Sequence, residues 1–148
     1  MIKIKVLSKE LLTQYITEIK EIVEFYPIES KNIWSKDQYL YDISGKWIYS
    51  NIAFSDKLQV LGFILASEKV TFNVHIHKWY TKNNLRGQGI GTELYNFLCD
   101  KAQQNNIQTI SIKVYKENSQ ALNYYKRLGF IEIGEKIDSV TNLIIVEL

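Results

Sequence analysis

The 148 residues suffice for one domain with a substantial core and are too few for two full ones. A composition of 46% hydrophobic and 23% charged residues excludes a disordered or fibrous chain, and the apolar stretches, short and broken by charge, exclude a membrane-spanning helix. Lys and Arg number 18 against 16 Asp and Glu, a balance of +2 without the clustered basic excess of a nucleic-acid surface; the lone Cys99 excludes an internal disulfide and, with two histidines, argues against a metal site.

The opening residues, MIKIKVLSKE, lack the apolar core and cleavage site of a secretion signal, so a cytoplasmic location is expected. Ile2, Ile4 and Val6 alternate with lysine as in a half-buried strand. Ser8 suits the N-cap of a helix carrying Leu12, Tyr15, Ile16, Ile19, Ile22, Val23 and Tyr26 at three- and four-residue spacing, ended by Pro27. A short helix begins at Ser35 with Tyr39, Leu40 and Ile43 on one face, and Gly45 closes it. Trp47–Phe54 predicts a strand, Ser55-Asp56-Lys57 a turn, Leu58–Ala66 a second strand, Glu68-Lys69 a tight connection and Val70–Thr81 a third, longer strand.

Helix and strand then alternate. Ile90–Gln104 places Ile90, Leu94, Phe97, Leu98 and Ala102 on one helical face, and Ile107–Val114 follows as a strand. Asn118–Leu128 predicts a helix with Ala121, Leu122, Tyr125 and Leu128 facing inward; Phe130–Ile133 and Val140–Leu148 are the last strands. No repeat or linker interrupts the chain. The order β-α-α-β-β-β-α-β-α-β-β predicts a single α/β domain over residues 1–148, its mixed sheet antiparallel in the first half, with one right-handed βαβ crossover near the centre.

Three of the seven glycines fall in Arg86-Gly87-Gln88-Gly89-Ile90-Gly91, between the long strand and an amphipathic helix. Glycine lets backbone approach a ligand closely, and a helix start offers free N–H groups to an anion, so a phosphate is the natural occupant. A tight, glycine-rich strand-to-helix turn is the plainer alternative. Gly91 is followed by Thr92-Glu93, which rules out a Walker loop, and the dinucleotide fingerprint fails at its third glycine.

Arg86-x-x-Gly89-x-Gly91 resembles the pyrophosphate loop of the GNAT superfamily of acetyl-CoA-dependent N-acetyltransferases. Asn118-x-x-Ala121-x-x-x-Tyr125-x-x-x-Gly129-Phe130 resembles a second segment of that superfamily, N-x-x-A-x-x-x-Y-x-x-x-G-F. The resemblance implies the family's splayed-strand fold and direct attack of a primary amine on the acetyl thioester, with no metal. Backbone of Gly87, Gln88, Gly89, Ile90, Gly91 and Thr92 matches the pyrophosphate cradle, with Arg86 positioning it. Trp79, Tyr80 and Thr81 match the strand end that pairs with the pantetheine arm. Asn118 matches the asparagine that contacts that arm, and equally suits a helix N-cap. Tyr125 matches the general acid that protonates the leaving thiolate, while Tyr124 fits a core position.

His75, eleven residues before Arg86, occupies the offset at which many relatives carry a base glutamate. An ordinary imidazole with a pKa of about 6.5 suits that task. His77 shares its face, and Glu68 is a distant reserve. Asn32-Ile33-Trp34-Ser35, continuing to Tyr39, resembles the P-W-S-x-x-x-F segment of the ribosomal-protein N-terminal acetyltransferases. Two departures weaken that branch: Ile33 replaces the proline, and Lys113 stands where those enzymes carry a glutamate five residues before the asparagine. The implied acceptor is a small-molecule or peptide amine. Aromatic residues from Phe25 to Tyr49 could line its pocket or simply pack the core. Glu24, Glu29, Asp37 and Asp42 would suit a cationic amine, although scattered acid is also an ordinary solvated face. A homodimer is possible, as in many relatives; a non-catalytic acyl-CoA-binding domain is the alternative.

Overall fold

The computed structural model describes residues 2–26, 33–138 and 144–148. Among them the chain forms β1 (Lys3–Val6), α1 (Lys9–Gln14), α2 (Ile16–Glu24), α3 (Lys36–Leu40), α4 (Lys46–Tyr49), β2 (Asn51–Phe54), β3 (Val60–Val70) and β4 (Asn73–Thr81). A 3-10 turn at Asn83–Leu85 leads to α5 (Ile90–Gln104), β5 (Thr109–Tyr115), α6 (Ser119–Arg127), β6 (Gly134–Ile137) and β7 (Ile144–Glu147). The strands make one seven-stranded mixed sheet in the order β1-β2-β3-β4-β5-β7-β6. Its pairs are antiparallel except β4 with β5, which α5 joins as a parallel crossover. This is the α/β arrangement the sequence predicts.

Side chains alternate along the strands between two cores. Ala53, Ile64 and Ala66 join the α5 face, where Ile90, Leu94, Leu98 and Ala102 recur every four residues. Ile52, Phe54, Phe63 and Leu65 face the first helices, meeting Leu12, Ile19, Ile22 and Val23. At about 25 cal/mol per Å² of apolar surface removed from water, these two layers hold the helices to the sheet.

Several boundaries differ from the sequence reading. The predicted first helix is two, because Tyr15 leaves helical geometry (φ −109°, ψ 18°) and packs on Phe54 at 4.9 Å. Pro27, its predicted terminator, lies outside the described residues. Gly45 opens α4 with φ +77° instead of closing the helix before it, and the first half of the predicted strand Trp47–Phe54 is that extra helical turn. The β3–β4 hairpin turns at Thr71-Phe72, with Phe72 at φ +62°, so Glu68-Lys69 belongs to the end of β3. Phe130–Ile133 is not a strand: Ile131 and Ile133 are exposed, and pairing begins at Gly134. Of the predicted last strand, residues 140–143 lie outside the described ones.

Candidate active site

The site begins with β4. Its register against β3 slips between the Leu65–Lys78 and Ala66–Ile76 pairs, making His77 the extra residue of a bulge. The bulge resets the alternation, so Val74, Ile76 and Trp79 all reach the α5 core. On its other side β4 pairs with β5 only from Asn73–Ile76 against Thr109–Ile112. Lys113, Val114 and Tyr115 pair with β7 instead. Beyond Ile76 and Ile112 the two strands part, and a cleft of about 790 Å³ opens between them.

One wall is the glycine loop. Gly87 and Gly89 take φ +81° and +84°, and a Cβ at either would meet nothing within 4 Å. Glycine is there for conformation and leaves open space above the backbone. Gly89 starts α5 with no side-chain cap, so the first N–H groups of a 15-residue helix point out of its end. Arg86 lies over the Tyr26 ring at 5.4 Å, and the Tyr26 hydroxyl donates to the Thr81 carbonyl, joining loop, strand and α2.

The opposite wall is α6. Asn118 caps it, its Oδ1 accepting from the Ala121 N–H at 3.3 Å. Tyr125 stacks on Trp79 with ring centroids 5.1 Å apart and is 9% exposed. Tyr124, expected in the core, lies one helical step round and lines the cleft. Its hydroxyl is 2.7 Å from Thr92 Oγ1, tying α6 to the first turn of α5. A Cβ on Gly91 would stand 3.3 Å from that hydroxyl, which explains the third glycine.

At the far end stand the histidines, 5.1 Å apart. His75 Nδ1 is 2.8 Å from Ser111 Oγ, and His77 Nε2 is 2.6 Å from Ser67 Oγ. Burial, then the neighbouring His77 and Lys69, Lys113 and Lys136, lower the His75 pKa to about 3. Burial and Lys46, Lys69, Lys78 and Lys113 lower that of His77 to about 4. The ordinary imidazole of the sequence reading is thus corrected: both rings are neutral at neutral pH. Of the thirteen residues assigned to the site from sequence, only Gln88 does not line the cleft. Glu68, Glu24, Asp37 and Asp42 do not line it either. Asp42 is exposed and binds Lys9 and the Trp47 indole N–H, and Glu29 lies outside the described residues. Trp34 does line it, 6.1 Å from His77.

A profile of the acetyltransferase (GNAT) family matches residues 12–130. The chain belongs to the acetyltransferase (GNAT) family. An uncharacterised N-acetyltransferase of Methanocaldococcus jannaschii is 39% identical over 57 residues, 38% of this chain and 25% of that protein. The chain thus spans about a quarter of that relative. N-alpha-acetyltransferase 30 of Schizosaccharomyces pombe is 25% identical over 76% of this chain and 77% of its own length. Two solved structures share the GNAT fold. The ribosomal-protein-S18-alanine N-acetyltransferase from Escherichia coli superposes with a TM-score of 0.80 at 16% identity, over 99% of this chain and 91% of that one. The NatC complex bound to Gag peptide and CoA gives 0.80 at 22%, over 99% and 95%. The profile match makes this chain an acyltransferase-family member, and the cleft lies where its two GNAT motifs meet.

Three contributions escape the motif reading. Tyr124 is hidden because adjacent tyrosines look alike in a pattern: Tyr125 sits in the core, and Tyr124 packs against that core as expected while also lining the cleft. Ser111 and Ser67 reach the histidines through strand pairing, which no linear spacing reveals. Lys46 is 1% exposed, its ammonium donating to the carbonyls of Tyr39 (2.6 Å) and Tyr41 (2.8 Å) at the end of α3.

Proposed function

We propose that this protein is an N-acetyltransferase that moves the acetyl group of acetyl-CoA to a primary amine within a ternary complex. The observation that carries the reading is the parting of β4 from β5 beyond Ile76, which opens a cleft lined by Tyr125 and by an uncapped helix start. The residues present fit the cosubstrate: open space over Gly87 and Gly89 leaves room for a pyrophosphate against backbone N–H groups. Trp79, Tyr80 and Thr81 pair with Ile64, Phe63 and Gly62 on one side and line the cleft where the pantetheine arm would run, with the Thr81 carbonyl already accepting from Tyr26. Asn118 borders the same path. Acetyl-CoA supplies the activated acetyl thioester.

Tyr125, held in place by Trp79, is the proposed proton donor to the leaving sulfur, a role worth typically about 10²–10⁴-fold. His75 is the proposed acceptor of the amine proton. Its bond to Ser111 orients the ring, and its neutrality keeps a nitrogen lone pair available across the physiological range. The depressed pKa also makes it a weak base. An alkyl ammonium of pKa about 10.4 gives up its proton to it unfavourably, so the rate should follow the amine's own ionisation.

The similarity to N-alpha-acetyltransferase 30 and to the NatC structure favours a peptide N-terminus as acceptor, whose α-amino group has a lower pKa, about 7.7–8.0. Binding is the first test. Saturating acetyl-CoA should raise the melting temperature, with CoA competing; about 2.7 kcal/mol of stabilisation is expected at a hundredfold excess over Kd. An unchanged melting temperature at saturation would remove the reading.

A further inference from the structure

The acceptor half of the cleft carries the charge opposite to the one that suits a polycationic amine. We propose that the acceptor is an amine bearing a carboxylate close to the reacting nitrogen, received by Lys69 and Lys113. This rests on the transferase reading above, which sets which half of the cleft is free for the acceptor.

Beyond the bulge the sheet face opposite α5 is polar. Ser67, His75, His77, Ser111 and Lys113 share it, and the strand ends bring Lys69 to its rim. Lys69, Lys78 and Lys113 all line the cleft. Lys78 is 7% exposed and sits over the Trp34 ring at 4.6 Å. Neither Lys69 nor Lys113 forms an ion pair among the described residues. Lys113 stands beside another lysine instead, and through hydrogen bonding and charge it lowers the Lys136 pKa. Of the described acids nearby, Asp138 lines the cleft and accepts from the Tyr115 hydroxyl at 2.9 Å while keeping its charge, and Glu147 lies 3.9 Å from Lys136.

Among the described lining residues Asp138 is the one acid against Lys69, Lys78 and Lys113, and a ligand carboxylate placed beside Lys69 and Lys113 lowers the repulsion between those two. Lys69 and Lys113, which add to burial in lowering both histidine pKa values, would repel a second ammonium on the acceptor. The carboxylate has two sources, an acidic side chain next to a peptide N-terminus or the α-carboxylate of a free amino acid.

The test measures kcat/KM by thiol release with acetyl-CoA and matched acceptors. Ala-Glu-Glu-Trp, Ala-Gln-Gln-Trp and Ala-Lys-Lys-Trp amides probe side chains; alanine and alaninamide probe the α-carboxylate. The carboxylate-bearing member of at least one set should lead by about tenfold, and the lysine peptide should be poorest. Lys69→Glu and Lys113→Glu should erase or invert that order, and Lys113→Gln should narrow it. A second readout is calorimetric: the N-acetylated glutamate peptide should bind the CoA complex more tightly than its glutamine counterpart, and less so in Lys113→Glu. If acetyl-CoA raises the melting temperature but all acceptors react alike, or the lysine variants keep the wild-type order, the charge inference is overturned and the transferase reading stands. If acetyl-CoA produces no shift, the transferase reading falls and takes this inference with it.

Discussion

At the scale of single residues, Tyr125 and Asn118 were legible because each falls in a spaced motif. The histidines were legible only as positions. Their chemistry depends on Ser111 and Ser67, which strand pairing brings within 2.8 Å and 2.6 Å, and on the burial that makes both rings neutral. Replacing Tyr125 by Phe should lower kcat by at least about tenfold, with acetyl-CoA affinity near wild type; unchanged kcat would remove its role as acid. Depressed histidine pKa values also set a stability trend. Between about pH 4 and pH 6.5 the unfolded chain binds protons that the folded chain refuses, so stability present at neutral pH is lost as the pH falls through that window. For His75 the loss should reach roughly 2 kcal/mol by about pH 5. The melting temperature of the wild type should therefore fall more steeply with acidification than that of a His75→Gln, His77→Gln double variant. Parallel curves would show that the rings titrate normally.

At the scale of elements, α5 was legible to the residue because its apolar positions recur cleanly, while the hairpin end of β3 was not. Thr71-Phe72 carries no turn signature, and the polar Glu68-Lys69 imitates one. The short helix α4 was invisible for a related reason: Trp47, Ile48 and Tyr49 favour strand locally, and Lys46 overrides them from inside. Its ammonium caps the end of α3, and burial, the largest influence, lowers its pKa to about 8. Replacing Lys46 by Met should cost about 1–3 kcal/mol by leaving two or more carbonyls short of a donor, read as a lower denaturation midpoint. A midpoint equal to wild type would mean that water replaces the ammonium. In the glycine loop, Gly89→Ala meets no atom but forces a side chain to φ +84°. It should cost about 1–2 kcal/mol of stability and weaken acetyl-CoA binding measurably. Full cofactor affinity would separate the loop from the pyrophosphate.

At the scale of the whole molecule, the order of strands and helices was recoverable from sequence because the change from meander to alternation falls at the glycine loop. The cleft was not. It exists because β4 and β5 pair for four residues and then part, a property of two strands whose paired residues lie 36 positions apart in sequence. The charge of that cleft was likewise hidden in a net balance of +2. Of the acidic residues singled out early in the chain, Glu24, Asp37 and Asp42 do not line it, and lysines from β3, β4 and β5 do. The proposed transferase, with lysines at its acceptor end and backbone N–H groups of the glycine loop toward the cosubstrate, accounts for both features. The most direct measurement of that account combines thiol release with mass analysis of the acceptor, using acetyl-CoA and the Ala-Glu-Glu-Trp amide. Free CoA should appear in step with peptide heavier by one acetyl group on its N-terminus, and both should vanish together in the absence of enzyme. Thiol release no faster than the enzyme-free background, with this peptide and with every other acceptor tried, would contradict it.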